Sequence, residues 1–75
     1  MYHVPKELYK EALLYNAKSI ILLHNHPSGN PIPSDADIYM TKQIDDFGKM
    51  VDIRLLDHII IGDREYYSFK EHDHL

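Results

Sequence analysis

The chain has no cysteine, no tryptophan and only three glycines among its 75 residues. Without cysteine, disulfides and thiolate metal sites are excluded. The apolar runs are far too short to cross a bilayer, and the first residues do not combine a basic stretch with an apolar run. These features predict an intracellular, cytoplasmic protein without a membrane segment. The net charge of -4 and the scattered Lys and Arg residues argue against direct nucleic-acid binding.

A chain of this length is one domain at most, close to the size at which a single apolar core is only marginally sufficient. Its hydrophobic fraction of 44% is typical of globular proteins. With disulfides excluded, the remaining sources of stability are a metal, a partner chain or further sequence. We therefore expect the sheet to be completed by a homo-oligomer or by an additional N-terminal segment.

Hydrophobic patterning predicts an α/β domain with the order α-β-α-β-β. The predicted helices are Pro5–Ala17 and Asp35–Lys49, and the predicted strands are Ser19–Leu23, Arg54–Ile61 and Glu65–Phe69. The strand–helix–strand step favours a parallel pair, and the last strand can pair back as a hairpin. The run Ser19–Leu23 is typical of a strand buried on both faces.

The expected ordered core spans about residues 4–69, followed by a frayed polar tail at 70–75. The second helix is expected to bury an apolar stripe made of Met40, Ile44, Phe47 and Val51.

The segment from His24 to Asp37 holds the residues that carry chemistry. Side chains at i and i+2 of an extended chain point the same way, so His24 and His26 can face one cation. A proline-rich loop then returns the chain to the start of the second helix, where Asp37 can add a carboxylate. Two imidazoles and one carboxylate leave a fourth position open, which is the ligand pattern of a catalytic zinc site. Zinc in such a site lowers the pKa of its bound water to roughly 7.

Helix capping is the competing interpretation of the same residues. Ser34 and Asp37 fit a capping box, with Ser34 as the N-cap and an acidic residue at the third helical position. Ser34 could serve both as a cap and as a hydroxyl donor to a reacting carbonyl. An Asp37 bound to metal is less free to cap the helix.

Two further polar groups have weaker signals. Asp57 and His58 interrupt an apolar strand, and strand alternation places one of them inward. A hydrogen-bonded core pair, or an outer partner of the metal ligands, is the favoured interpretation. The tail sequence His72-Asp73-His74 is interpreted as solvated.

The run His24-Asn25-His26-Pro27-Ser28-Gly29 with the downstream Ser34-x-x-Asp37 resembles the JAMM motif, and more closely the RadC-like JAB domains. The strand Leu55–Gly62 and the Tyr67-Ser68-Phe69 ending are also similar to that branch. The resemblance implies a partial JAB/MPN fold, similar to cytidine deaminases. It implies Zn²⁺ held by His24, His26 and Asp37, with Ser34 hydrogen-bonding the reacting carbonyl. The implied activity is zinc-dependent hydrolysis of a peptide or isopeptide bond, and the branch carries a DNA-repair name.

The sequence departs from the JAMM pattern at the general base. That pattern places a glutamate on a strand well upstream of the two histidines, whereas Glu7 and Glu11 lie on the first predicted helix. The departure implies either an N-terminally truncated domain or a catalytically inactive metal-binding or assembly module. Hydrolysis by this chain alone is not expected.

Overall fold

The computed structural model of the protein describes residues 17–75. The first predicted helix, apart from its last residue, lies outside the described residues, as do Glu7 and Glu11. The described elements are β1 (Ser19–Asn25), α1 (Asp35–Val51), β2 (Arg54–Ile61) and β3 (Tyr66–Ser68). Strands pair in the order β1-β2-β3, with β1 and β2 parallel and β2 and β3 antiparallel. The mixed α/β class and the predicted parallel pair are therefore confirmed.

A bulge in the parallel pair decides which β2 side chains face the helix. Ile20 lies opposite Leu55 and Ile21 opposite Asp57, so one residue of β2 is skipped between the two pairs. Beyond the skipped residue, the β2 side chains that point toward the helix change from odd-numbered to even-numbered positions. Leu55 and His58, three residues apart, are consequently both buried.

The buried stripe of α1 differs from the predicted one. The buried helix residues are Asp37, Thr41, Ile44 and Gly48, which repeat at steps of three and four. Ile44 forms the core with Leu55, and Met40 and Val51 pack partly against it. Phe47, predicted to be buried, is 37% exposed. The helix is rotated relative to its apolar pattern, which brings the polar Asp37 and Thr41 inward.

One face of β1 is exposed, which corrects the prediction of a strand covered on both sides. Along β1 the odd-numbered residues are exposed, including Ile21 at 55% and Leu23 at 69%. The even-numbered residues Ile20 and Leu22 pack against the core on the side of α1. A sheet with one helical layer in the described residues covers only one of its faces. Within residues 17–75, no helix combines the length and apolar character needed to cross a membrane.

The tail at 70–75, expected to be frayed, makes defined contacts. The backbone N–H of His74 donates to the Phe69 carbonyl at 2.9 Å, and the His72 ring donates through Nδ1 to the Ser68 carbonyl at 2.9 Å. The His72 ring also stacks on Tyr67, with 4.0 Å between ring centroids. Leu75 packs against the core. These contacts fold the tail back onto the end of β3.

Candidate metal centre

The carboxyl end of β1 and the amino end of α1 meet at the candidate site. β1 extends beyond its predicted end to Asn25, and the backbone N–H of His26 donates to the Ile61 carbonyl at 3.0 Å. Both histidines are therefore held at the strand end beside β2. The helix begins at the predicted residue, since Ser34 is the N-cap of α1.

The loop between these two ends is held by short-range hydrogen bonds. The Asn30 N–H donates to Ser28 Oγ at 3.3 Å, and the Ile32 N–H donates to Asn30 Oδ1 at 3.1 Å. The Asp63 N–H donates to the Gly29 carbonyl at 2.7 Å, which fixes the loop to the β2–β3 turn. Gly29 has a φ of 84°, a conformation that glycine adopts readily. The loop is thus stiffened both internally and from outside.

Three ligand-type side chains converge at this point. One ligand atom from each of His24, His26 and Asp37 lies within 4.8 Å of the other two. His26 Nε2 is 3.0 Å from Asp37 Oδ2, and His24 Nδ1 is 3.6 Å from Asp37 Oδ1. The two imidazoles are half-buried and the carboxylate is 1% exposed. The three predicted ligands therefore form one group that could hold a metal ion.

Asp37 both caps the helix and faces the two histidines. Its backbone N–H donates to Ser34 Oγ at 3.1 Å, and its Oδ2 accepts from the Ser34 N–H at 2.9 Å. The predicted capping box is therefore present. The same carboxylate faces both imidazoles, so the two interpretations of the sequence are compatible. The cap orients the carboxylate toward the histidines.

The hydrogen bonding of His26 fits a cation at this position. A carbonyl oxygen can only accept, so the 2.9 Å contact with the Asn30 carbonyl places a proton on His26 Nδ1. The other ring nitrogen, Nε2, lies 3.0 Å from Asp37 Oδ2, so both groups point at one place where they could share a cation. Histidines that ligate metals commonly donate their other ring N–H to a backbone carbonyl in this way.

His24 supplies a second observation that fits a metal. Its Nδ1 is buried and has no hydrogen-bond partner among the described residues. A buried nitrogen without a partner costs free energy, because water no longer solvates it. A metal ion coordinated by this nitrogen would remove that cost. The donor set of two imidazoles and one carboxylate fits zinc.

His58 lies directly beside the ligand group. It is 1% exposed, and its ring stacks on the His24 ring with centroids 5.8 Å apart. Burial lowers the pKa of His58, the charge of His24 lowers it further, and the Asp37 and Asp57 carboxylates offset part of the effect. A lowered pKa favours the neutral ring.

Thr41 is a site neighbour that the sequence pattern did not single out. Its hydroxyl lies 2.6 Å from His58 Nδ1 and 2.7 Å from the Asp37 carbonyl oxygen. Thr41 lies four residues after Asp37 and therefore on the same helix face. The four-residue spacing from Asp37 was the only feature of the sequence that could have indicated Thr41 as a neighbour of the site. A threonine within a helix is rarely informative by itself.

The structure does not bring Asp57 to the ligand group. Its Oδ2 accepts from the Ser68 hydroxyl at 2.6 Å, and its Oδ1 accepts from the N–H groups of His58 and Lys70 at 2.7 and 3.1 Å. Burial raises the pKa of this carboxyl, but these hydrogen bonds and the charge of Lys70 outweigh burial and lower it. Asp57 thus connects β2 to the turn that follows β3.

These features together define a mixed α/β domain with a two-histidine, one-aspartate site between a strand end and a helix start. The sequence profile of the RadC-like JAB domain matches residues 1–74. The chain therefore belongs to the RadC-like JAB domain family, and its fold is a partial JAB/MPN fold. The predicted family is confirmed.

Curated relatives of the chain carry the name UPF0758 protein. One from Halalkalibacterium halodurans is 55% identical over 95% of this chain and 31% of the relative. Another from Desulfitobacterium hafniense is 54% identical over 89% of this chain and 30% of the relative. A third, from Enterococcus faecalis, is 52% identical over 89% of this chain and 29% of the relative. The chain thus spans about a third of the length of these proteins.

Proposed function

We propose that the domain binds one zinc ion through His24, His26 and Asp37, and that the site serves hydrolysis of an amide bond in a peptide or isopeptide substrate. The convergence of three ligand atoms within 4.8 Å carries the proposal. Two details support it: the outer hydrogen bond of His26 and the buried, unpartnered Nδ1 of His24. Zinc, when bound, acts as a Lewis acid and lowers the pKa of a coordinated water.

Ser34 is the proposed contact to the reacting carbonyl. Its Oγ accepts the Asp37 N–H, and accepting this bond leaves the hydroxyl hydrogen available for donation. Ser34 is exposed beside the buried carboxylate of Asp37, so a substrate carbonyl could reach it. Removing a comparable donor to a developing oxyanion reduces kcat by about 100–1,000-fold.

The alternative proposal is a metal-binding or assembly module without hydrolytic activity. The observation behind it is that, among the described residues, no acidic side chain other than Asp37 joins the converging ligand group. Glu7 and Glu11, the upstream glutamates, lie outside the described residues. The chain spans about a third of the length of its relatives. Hydrolytic activity of the whole protein, and any role in DNA repair, are therefore proposals as well.

Metal analysis of the purified chain tests the site. We expect one equivalent of zinc in the wild type and a loss of metal in His26→Ala and Asp37→Asn. Asp35→Asn is the matched control, because Asp35 is the other acidic residue of the first helical turn and is exposed. His72→Ala controls for loss of a histidine elsewhere. Equal metal content in all five proteins would overturn the proposed site.

Hydrolysis distinguishes the two proposals once metal binding is established. Peptide and isopeptide substrates would be incubated with this chain and with a full-length relative, each with and without a chelator. Chelator-sensitive turnover that is lost in Asp37→Asn supports the enzyme. Stoichiometric zinc without turnover in either protein supports the inactive module.

A further inference from the structure

A stack of three aromatic rings runs from the core to the ligand group. The His58 ring lies between Phe69, at a centroid distance of 4.8 Å and 8° between planes, and His24, at 5.8 Å and 15°. Phe69 and His58 are both buried. The stack places one side of the His24 ring against a buried aromatic surface.

A hydrogen-bond chain runs from the same histidine to the helix that carries Asp37. The Asp37 carbonyl can only accept, so the Thr41 hydroxyl donates to it. The Thr41 oxygen must then accept from His58, which places a proton on His58 Nδ1. Thr41 and His58 are 2% and 1% exposed, so water does not compete for these bonds. His58 is thereby held in one tautomer and one orientation.

The two candidate histidine ligands differ in how they are oriented. His26 has a hydrogen-bonded outer partner in the Asn30 carbonyl, whereas neither nitrogen of the His24 ring makes a hydrogen bond within the described residues. The His24 ring is therefore positioned by its neighbours: it meets the edge of the His26 ring at 4.7 Å between centroids, and His58 is the buried ring that stacks on it.

We propose that Thr41 and His58 form a positioning pair that sets the geometry of the metal site, with the His58 ring holding His24 and the Thr41 hydroxyl joining that ring to the Asp37 turn. The inference rests on the proposed function, since it assigns roles around the same metal. Neither residue touches the metal or the substrate. An ordinary core pair would affect only stability, whereas a positioning pair also affects affinity and ligand geometry.

The test measures zinc affinity by chelator competition and the visible absorption spectrum of the Co²⁺-substituted protein. Thr41→Val keeps the shape of the side chain and removes the hydroxyl, and we expect it to weaken zinc binding by about 10–100-fold. Thr41→Ser restores the hydroxyl and should return the affinity to near the wild-type value. His58→Phe keeps a stacked ring without the hydrogen bond and should weaken binding as Thr41→Val does. The double variant should bind zinc no more weakly than Thr41→Val, because Thr41→Val already removes the bond that His58→Phe removes.

Ile44→Val is the control for stability, because Ile44 lies in the core of α1 and outside the hydrogen-bond chain. We expect it to lower the apo-protein's melting temperature while leaving zinc affinity and the Co²⁺ spectrum unchanged. If Thr41→Val behaves like Ile44→Val, the pair is only core packing and the inference is overturned.

Two further measurements complete the test. Wild-type zinc binding that is lost in His26→Ala upholds the proposed function, so unchanged affinity in Thr41→Val then refutes the positioning pair alone. Absence of wild-type metal binding overturns both. Nitrogen-15 NMR of the unmodified protein avoids variants that do not fold: a proton on His58 Nδ1 is expected, and a ring that carries its proton on Nε2 instead contradicts the inference.

Discussion

At the scale of single residues, Asp37 combines two functions that compete in most sequences. Its carboxylate closes a capping box with Ser34 and also faces two imidazoles. A helix N-terminus favours a negative charge, and Asp37 lies in the first turn of α1. A carboxylate at this position therefore suits both the helix and a cation.

Asp57 gives a prediction on acid stability that is separate from the metal site. Its pKa lies below the ordinary value of 3.8, so its stabilising effect is complete above that pH and is lost as the pH falls through the folded-state pKa. We expect Asp57→Asn to cost about 1–2 kcal/mol at pH 7, because hydrogen bonds to a charged acceptor are weakened.

The check for Asp57 is urea denaturation of wild type and variant across a series of pH values. The gap in free energy of unfolding should be constant near neutral pH and should narrow below pH 3.8. Other carboxylates titrate in both proteins and cancel from the difference. A gap that stays the same down to pH 2 would rule out this role for Asp57.

At the scale of elements, the ligand loop depends on close contact with the β2–β3 turn. Gly62 lies against the loop so tightly that an added Cβ would collide with the Gly29 carbonyl oxygen and would lie 2.8 Å from Pro31 Cδ. Both neighbours belong to a stiff stretch of backbone, so neither can move cheaply. The turn therefore packs directly against the loop that carries the candidate ligands.

Gly62→Ala should consequently destabilise the fold and weaken metal binding together. We expect a loss of about 1–3 kcal/mol in the free energy of unfolding, the usual cost of overpacking. Asp63→Ala is the matched control, since that change keeps the backbone N–H that donates to Gly29. Calorimetry of the apo-proteins and zinc competition measure the two effects, and a Gly62→Ala protein with wild-type values would contradict the contact.

The elements themselves show what the sequence could and could not predict. Ser34 correctly marks the start of α1, and the apolar run of β2 correctly gives Arg54–Ile61. The bulge at Leu56 has no sequence signal, because leucine is common at regular strand positions. The inward position of Thr41 likewise depends on tertiary packing, which rotated α1 away from its apolar stripe. The convergence of His24, His26 and Asp37 was predictable because strand alternation and a capped helix start are both features of the local sequence.

At the scale of the whole molecule, the sheet carries an apolar face opposite α1. Ile21, Leu23 and Ile61 are exposed on alternate positions of the two parallel strands, and Tyr66 lies opposite Ile61 on β3. An exposed apolar face of this kind favours association. The homo-oligomer therefore stays a prediction, and this apolar face is the surface through which we expect the copies to associate.

Leu23→Lys tests that surface directly. We expect the wild-type chain to associate as its concentration rises and Leu23→Lys to shift the distribution toward monomer, because a charge on the apolar face resists burial. Ser19→Lys is the control, since Ser19 is an exposed polar residue on the same strand. Sedimentation velocity over a concentration series measures the effect. A wild-type monomer at every concentration would contradict the prediction.

The position of the ligands along the chain has a consequence for the order of folding. His24, His26 and Asp37 all lie within residues 24–37, whereas β1 pairs with a strand that begins only at Arg54. Closing the shorter segment costs less chain entropy than closing the longer one. A metal at the proposed site would therefore gather its ligands before the parallel strands meet, so we expect the ion to speed refolding as well as to stabilise the folded chain.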